Sequence, residues 1–172
     1  LSLAIAYLYP ELDTQGVEEM RGHYVRCCIE ADRRPCQLFP GVTETLHALK
    51  DAGHDLCVAT GKSRRGLDRV FANLDICALF SASRCADETA SKPDPLMLRE
   101  LCAERSVNPA DAVMVGDTEY DLEMASRIAM PRIGVSYGAH SVERLLRWDP
   151  LSVLDEFSEL LPEIERHRRS FK

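Results

Sequence analysis

The 172 residues carry 28 acidic against 21 basic side chains, a net charge of −7, with 45% hydrophobic and 28% charged residues. That composition fits a globular chain of one domain, or one domain with a small appendage, long enough to bury a core. It lacks the basic footprint of a nucleic-acid binder, and no apolar run reaches the ~18 residues of a membrane-spanning helix.

The chain opens on Leu1-Ser2-Leu3-Ala4-Ile5-Ala6-Tyr7-Leu8, an apolar stretch without a charged leader or a small-residue cleavage site, so residues 1–9 are expected to be a helix rather than a signal peptide. From about 14 to 33, Val17, Met20, Tyr24, Cys27, Cys28 and Ala31 recur at steps of three and four, which predicts one amphipathic helix. Arg33-Arg34-Pro35 should stop it. Residues 1–36 are thus expected to form a helical hairpin. A different rhythm starts at Pro40-Gly41: a helix over about 42–52 ending at Gly53, the strand Leu56-Cys57-Val58-Ala59, and a helix over about 64–74. A weak strand near Leu79-Phe80-Ser81 follows, then a helix from Pro93 or Pro95 to about Ser106. Next come the strand Ala112-Val113-Met114-Val115, a helix over about 119–128, and the strand Arg132-Ile133-Gly134-Val135. Helical segments are predicted near 141–147 and 151–161. The terminal basic group Arg166, Arg168, Arg169 and Lys172 is read as a tail. Alternation of this kind predicts an α/β fold for residues 37–172, a Rossmann-like parallel sheet with helices on both faces. Its strands are buried on both sides and so read as continuous apolar runs.

The seven cysteines are odd in number and show no metal-ligand spacing, so they are read as reduced thiols of a cytoplasmic protein.

Ligands of parallel α/β sheets bind at the carboxyl ends of the strands. Those ends carry Thr60-Gly61-Lys62-Ser63, then Ser91-Lys92-Pro93, then Gly116-Asp117-Thr118-Glu119-Tyr120-Asp121. Each has an ordinary structural reading. Thr60 suits a helix cap. Thr118 and Asp121 fit a capping box, and acidic residues favour helix starts anyway. Lys92 alone would be a surface lysine. Together they place a hydroxyl, an amine and two carboxylates on one edge. A hydroxyl and free N–H groups at a helix start can hold phosphate, and Lys92, kept extended by Pro93, supplies a point charge for it. Gly116 permits close backbone approach. Asp117 and Asp121 suit a hard cation, and Mg²⁺ takes one or two carboxylates plus substrate phosphate. Gly61-Lys62-Ser63 imitates the end of a P-loop, but that pattern needs a glycine where Leu56 stands. Lys62 is therefore read as a solvated first-turn residue, and Arg64 and Arg65 as exposed helix charges.

The order strand–Thr60, Lys92-Pro93, Gly116-Asp117-x-x-x-Asp121 resembles motifs II, III and IV of the haloacid dehalogenase superfamily over roughly residues 1–160. The subgroup it is most similar to is the phosphoglycolate-phosphatase-like one. Leu38-Phe39-Pro40-Gly41-Val42 resembles the return from a helical cap into the core, so residues 1–36 would be the later part of that cap. The resemblance implies a Mg²⁺-dependent phosphatase of small phosphomonoesters working through an aspartyl-phosphate. Thr60 and Gly61 would bind the phosphoryl group, Lys92 would neutralise it, Asp117 would ligate Mg²⁺, and Asp121 would support the metal shell and Lys92. The family's motif I, Asp-x-Asp-Gly-Thr, supplies the nucleophile, and the chain contains no Asp-x-Asp. The segment carrying it is expected before Leu1, bringing the central strand between those ending at Thr60 and Val115. The competing readings are a catalytically inactive fragment or binding module of the same fold, and a phosphomutase. A phospho-receiver domain also uses Thr and Lys-Pro at strand ends but needs its acidic cluster at the first strands. Oligomeric state is not legible.

Overall fold

The computed structural model describes residues 2–31 and 37–167. It divides into two units, Leu1–Cys36 and Gln37–Lys172.

The first unit holds α1 (Ser2–Leu8) and α2 (Thr14–Ala31). The two pack as a hairpin: Ile5 and Val17 are buried, and Ser2 Oγ donates to Glu18 at 3.1 Å. The α2 stripe is only partly covered, with Tyr24 55% exposed and Cys27 exposed. Periodicity located this helix without revealing what buries its face. The expected stop at Arg33-Arg34-Pro35 lies outside the described residues.

The second unit runs α3 (Val42–Asp51), β1 (Leu56–Thr60), α4 (Arg64–Asn73), β2 (Phe80–Cys85), α5 (Leu96–Arg105), β3 (Met114–Gly116), α6 (Glu119–Ser126), β4 (Arg132–Val135), α7 (Val142–Leu146), β5 (Val153–Leu154) and α8 (Leu160–His167). The helix ends follow local chemistry. Gly41 at φ 74° opens α3, and Gly53 at φ 87° turns the chain out of it, both conformations that favour glycine. Ser63 caps α4 by accepting from Gly66 N–H. The segment 151–161 departs from its expected helix: it contains the short strand β5 and a 3-10 turn, Phe157–Glu159, and the helix begins only at Leu160. Val153 and Leu154 are too few to show strand alternation, while the apolar steps from Leu151 to Leu160 imitate a helical face. Pro162 then sits in the first turn of α8, where its missing N–H costs nothing.

All strand pairs are parallel, as the α/β alternation predicts, but they form two sheets: β1 beside β2, and β3-β4-β5 in that order. Thr60 lies opposite Cys85, and Gly116 opposite Gly134. Two buried clusters join these layers. Met97, Leu98, Cys102, Met114, Met124, Ala125 and Met130 pack against Ala59 of β1. Leu49, Ile133, Val135, Leu154, Leu160 and Ile164 pack against both Leu56 and Val113. Both sheets therefore share the same core, yet among the described residues no strand pairs with the second edge of β1 or of β3. The five residues of β1 are all half-buried, whereas three of four in β4 are buried.

Candidate active site

The carboxyl ends of β1, β2 and β3 flank an open cavity of about 430 Å³ lined by Thr60, Gly61, Ala86, Ser91, Lys92, Asp117, Thr118, Tyr120 and Asp121. All five residues singled out from the sequence line it. Tyr120 and Ala86 join them without having been assigned a role.

Thr60 closes β1 and is not a helix cap, since Ser63 holds that position. Its Oγ1 accepts from Lys62 N–H at 3.1 Å. A hydroxyl that accepts there still has its own hydrogen to donate. Lys92 Nζ donates to Asp121 Oδ1 at 2.5 Å, which leaves further ammonium hydrogens for an anion. Asp121 is 3% exposed. Its other oxygen accepts from Thr118 N–H at 3.1 Å and Thr118 Oγ1 at 2.7 Å, while Asp121 N–H donates back to Thr118 Oγ1 at 3.3 Å. The capping box read from the sequence is therefore real, and it coexists with the Lys92 pair. Gly116 makes the arrangement possible: a Cβ there would overlap Asp121, lying 2.7 Å from its Cγ and 2.8 Å from Oδ2.

The two carboxylates differ in what they can offer an ion. Both Asp121 oxygens are engaged. Asp117 Oδ2 accepts from Ala139 N–H at 2.9 Å, and Oδ1 has no hydrogen-bond partner among the described residues. No cluster of three or more His, Cys, Asp or Glu able to hold a metal occurs among the described residues. The donor set fits a divalent ion held by one carboxylate with substrate phosphate and water, a mode Mg²⁺ uses. Asp121, the second carboxylate of the cation reading, also anchors Lys92 and the first turn of α6.

A latch that motif reading missed ties the loop after β1 to the loop after β2. Arg64 Nε and Nη2 grip the two Glu88 oxygens, each at 2.8 Å, and Nη2 also donates to Ser83 Oγ at 2.9 Å. Arg64 N–H donates to Asp87 Oδ1 at 2.8 Å, and Ala86 N–H to Lys62 C=O at 3.0 Å. The guanidinium, with Cys85 N–H, depresses Glu88 to a pKa of about 2. Arg64 thus fastens the site rather than standing as a free helix charge. Lys62 and Arg65 are exposed. Burial raises the Cys85 thiol at the end of β2 to about 11, so it stays protonated. Cys27, Cys57, Cys77, Cys85 and Cys102 are free thiols. Among the described residues no helix is long and apolar enough to cross a membrane.

Comparison with known proteins gives this site its context. The model of the haloacid dehalogenase-like hydrolases matches residues 3–135. A protein of Dickeya dadantii named "Probable phosphatase IndB" is 35% identical over 74% of this chain and 56% of its own length. The phosphoglycolate phosphatase of Agrobacterium fabrum is 31% identical over 89% of this chain and 64% of its own. The chain thus spans between half and two thirds of these relatives. The crystal structure of a hydrolase from Pseudomonas syringae superposes with a TM-score of 0.82 at 19% identity, covering 95% of this chain and 76% of that one, which is a likeness of fold. The three strand-end motifs, the parallel α/β architecture and the family match over most of the sequence agree: the chain belongs to the haloacid dehalogenase-like hydrolases.

Proposed function

We propose that the chain carries the phosphate-binding and cation-binding side of a Mg²⁺-dependent phosphatase acting on small phosphomonoesters. The observation that carries the reading is the convergence of Thr60, Lys92 and Asp117 on one cavity, with Asp121 holding Lys92 from below. Phosphoryl transfer asks a protein mainly for positioning and charge neutralisation, and these groups supply both. Thr60 Oγ1, turned by Lys62 N–H, donates to a phosphoryl oxygen. Gly61 lets that oxygen approach the backbone, since nothing lies within 4 Å of where its Cβ would be. Lys92 keeps its ammonium over the phosphate because Asp121 fixes it. Asp117 Oδ1 would hold Mg²⁺, which when bound draws negative charge from the phosphoryl oxygens.

The nucleophile of the proposed aspartyl-phosphate route does not come from an Asp-x-Asp in these residues. The second edges of β1 and β3 support a place for a further strand between them, because unpaired backbone groups inside a core are costly. In this reading the 1–36 unit is part of a cap, and the similarity to phosphoglycolate phosphatases makes a small phosphorylated acid the first substrate to try. A cytoplasmic, reduced setting fits the free thiols. The missing Asp-x-Asp also favours a second reading, in which the chain binds phosphate and Mg²⁺ without turning a substrate over.

Intact mass followed by phosphate release from phosphoglycolate and related esters, with and without Mg²⁺, separates the two. A protein heavier than these 172 residues that hydrolyses only with Mg²⁺ supports the phosphatase. Binding without turnover at the mass of the 172 residues supports the binding module. Failure to bind either phosphate or Mg²⁺ would remove both.

A further inference from the structure

The turn after β4 does something the strand-end motifs do not account for. Ser136 N–H pairs with Leu154 C=O, and the next four residues, Tyr137-Gly138-Ala139-His140, fold over the end of β3. Ala139 N–H donates to Asp117 Oδ2 at 2.9 Å, and His140 N–H donates to Asp117 C=O at 3.1 Å. In the opposite direction, Glu119 N–H donates to His140 Nδ1 at 3.1 Å. The imidazole therefore accepts at Nδ1 and carries its hydrogen on Nε2. The ring and its donor are each held in place. Tyr120 packs edge-on against it with centroids 5.4 Å apart, and the Glu119 carboxylate is itself paired with Arg144 of α7. Gly138 closes the turn directly on the Asp117 side chain: a Cβ there would lie 2.7 Å from Oδ2 and 2.8 Å from Cγ, and would overlap Asp117 Cβ.

We propose that Gly138, Ala139 and His140 form a clasp that fixes the rotamer of Asp117, making Gly138 and His140 positioning residues for the cation site. The clasp takes one acceptor site on Oδ2 and one on the main-chain carbonyl of Asp117, and Oδ1 is left as the carboxylate oxygen with no hydrogen-bond partner among the described residues, the one best placed to meet an ion. This rests on the assignment of Asp117 as the cation-binding carboxylate. Partners that orient a ligand in this way typically matter about 10–100-fold in metal affinity.

The test uses the purified chain with Mg²⁺ alone, titrated calorimetrically, beside amide exchange of the metal-free protein read by NMR. The variants are Gly138→Ala, His140→Leu, and His140→Asn, whose Oδ1 replaces Nδ1 as acceptor. Weakening of Mg²⁺ binding by roughly 10–100-fold in Gly138→Ala and His140→Leu, with His140→Asn near wild type, is the expected result. A general loss of packing would lower Tm in all three without distinguishing the Asn variant. Exchange gives an ion-free readout. The Ala139 and Glu119 amides should be protected in the wild type, Ala139 should lose protection in Asp117→Ala, and Glu119 should lose it in His140→Leu. If Gly138→Ala fails to fold, the His140 pair decides. Unchanged Mg²⁺ affinity in His140→Leu, or absence of rescue by Asn, overturns the proposal. If the wild type takes up no Mg²⁺, the cation assignment falls and exchange judges the clasp alone: unprotected Ala139 and Glu119 amides sink it, and the paired losses uphold it.

Discussion

Replacing Gly116 by alanine adds one methyl group where the cavity floor has no room for it. The new Cβ would lie 2.7 Å from Asp121 Cγ and 2.8 Å from Oδ2, where ordinary contacts of carbon atoms lie at about 3.5–4.0 Å. Asp121 cannot swing aside, because its oxygens are held by Lys92 and Thr118 and its backbone belongs to the first turn of α6. Either β3 or α6 must shift by about 1 Å to restore ordinary contact. Overpacking of this kind costs about 1–3 kcal/mol. The stiffer unfolded chain returns about 0.4–1 kcal/mol. Because the overlap falls on a pinned side chain, the net should be near the top of that difference, about 2 kcal/mol, which lowers Tm by about 4–8 °C for a chain of this size. Gly61→Ala is the control: nothing lies within 4 Å of its Cβ position and its φ is not left-handed, so Tm should hold or rise slightly. Thermal unfolding of the two variants beside wild type checks this. Equal Tm values for Gly116→Ala and Gly61→Ala would refute the close approach of β3 to α6.

Asp117→Asn keeps an oxygen that can accept from Ala139 N–H, so Tm should stay near wild type while calorimetric Mg²⁺ binding weakens; full Mg²⁺ affinity would remove Asp117 as the ion's carboxylate. Glu88 is depressed from 4.5 to about 2 by the Arg64 guanidinium. Its share of stability is present above about pH 4.5 and is lost as pH falls towards 2, because the unfolded chain takes up the proton first. Tm of the wild type should therefore fall more steeply than that of Glu88→Gln between those pH values, and parallel curves would show that the latch contributes nothing. Arg64→Ala should loosen the loops after β1 and β2 together, seen as faster amide exchange at Arg64 and Ala86; exchange changing at only one of them would mean that they are not coupled through this residue.

What the sequence discloses and what it hides follow from the range of the forces involved. Strand-end chemistry was legible because β/α alternation puts Thr60, Lys92, Asp117 and Asp121 at equivalent positions, and all of them reach the same cavity. The capping box was legible because it spans three residues. β5 was not, since a two-residue strand has no periodicity and exists only by pairing with β4. Thr60 looked like a cap because Thr before a helix usually is one, yet Ser63 stood nearer the first turn. The different partners of the two carboxylates depend on Lys92, 29 residues from Asp121, and on a loop N–H 22 residues after Asp117. Backbone donors leave no mark on side-chain patterns. Gly138 was the available signal, standing just past the carboxyl end of β4, where a glycine commonly marks a close approach. The α2 stripe illustrates the reverse: its spacing located a helix, but Tyr24 remains mostly in solvent.

In the proposed function the Thr60–Lys92–Asp117 cavity holds phosphate through Lys92. The most direct measurement is a titration of the purified chain with inorganic phosphate in the presence of Mg²⁺, followed by ³¹P NMR, comparing wild type, Lys92→Ala and Lys62→Ala. Wild type and Lys62→Ala should bind saturably, and Lys92→Ala should lose binding. Binding by Lys92→Ala equal to that of Lys62→Ala would contradict this role of Lys92.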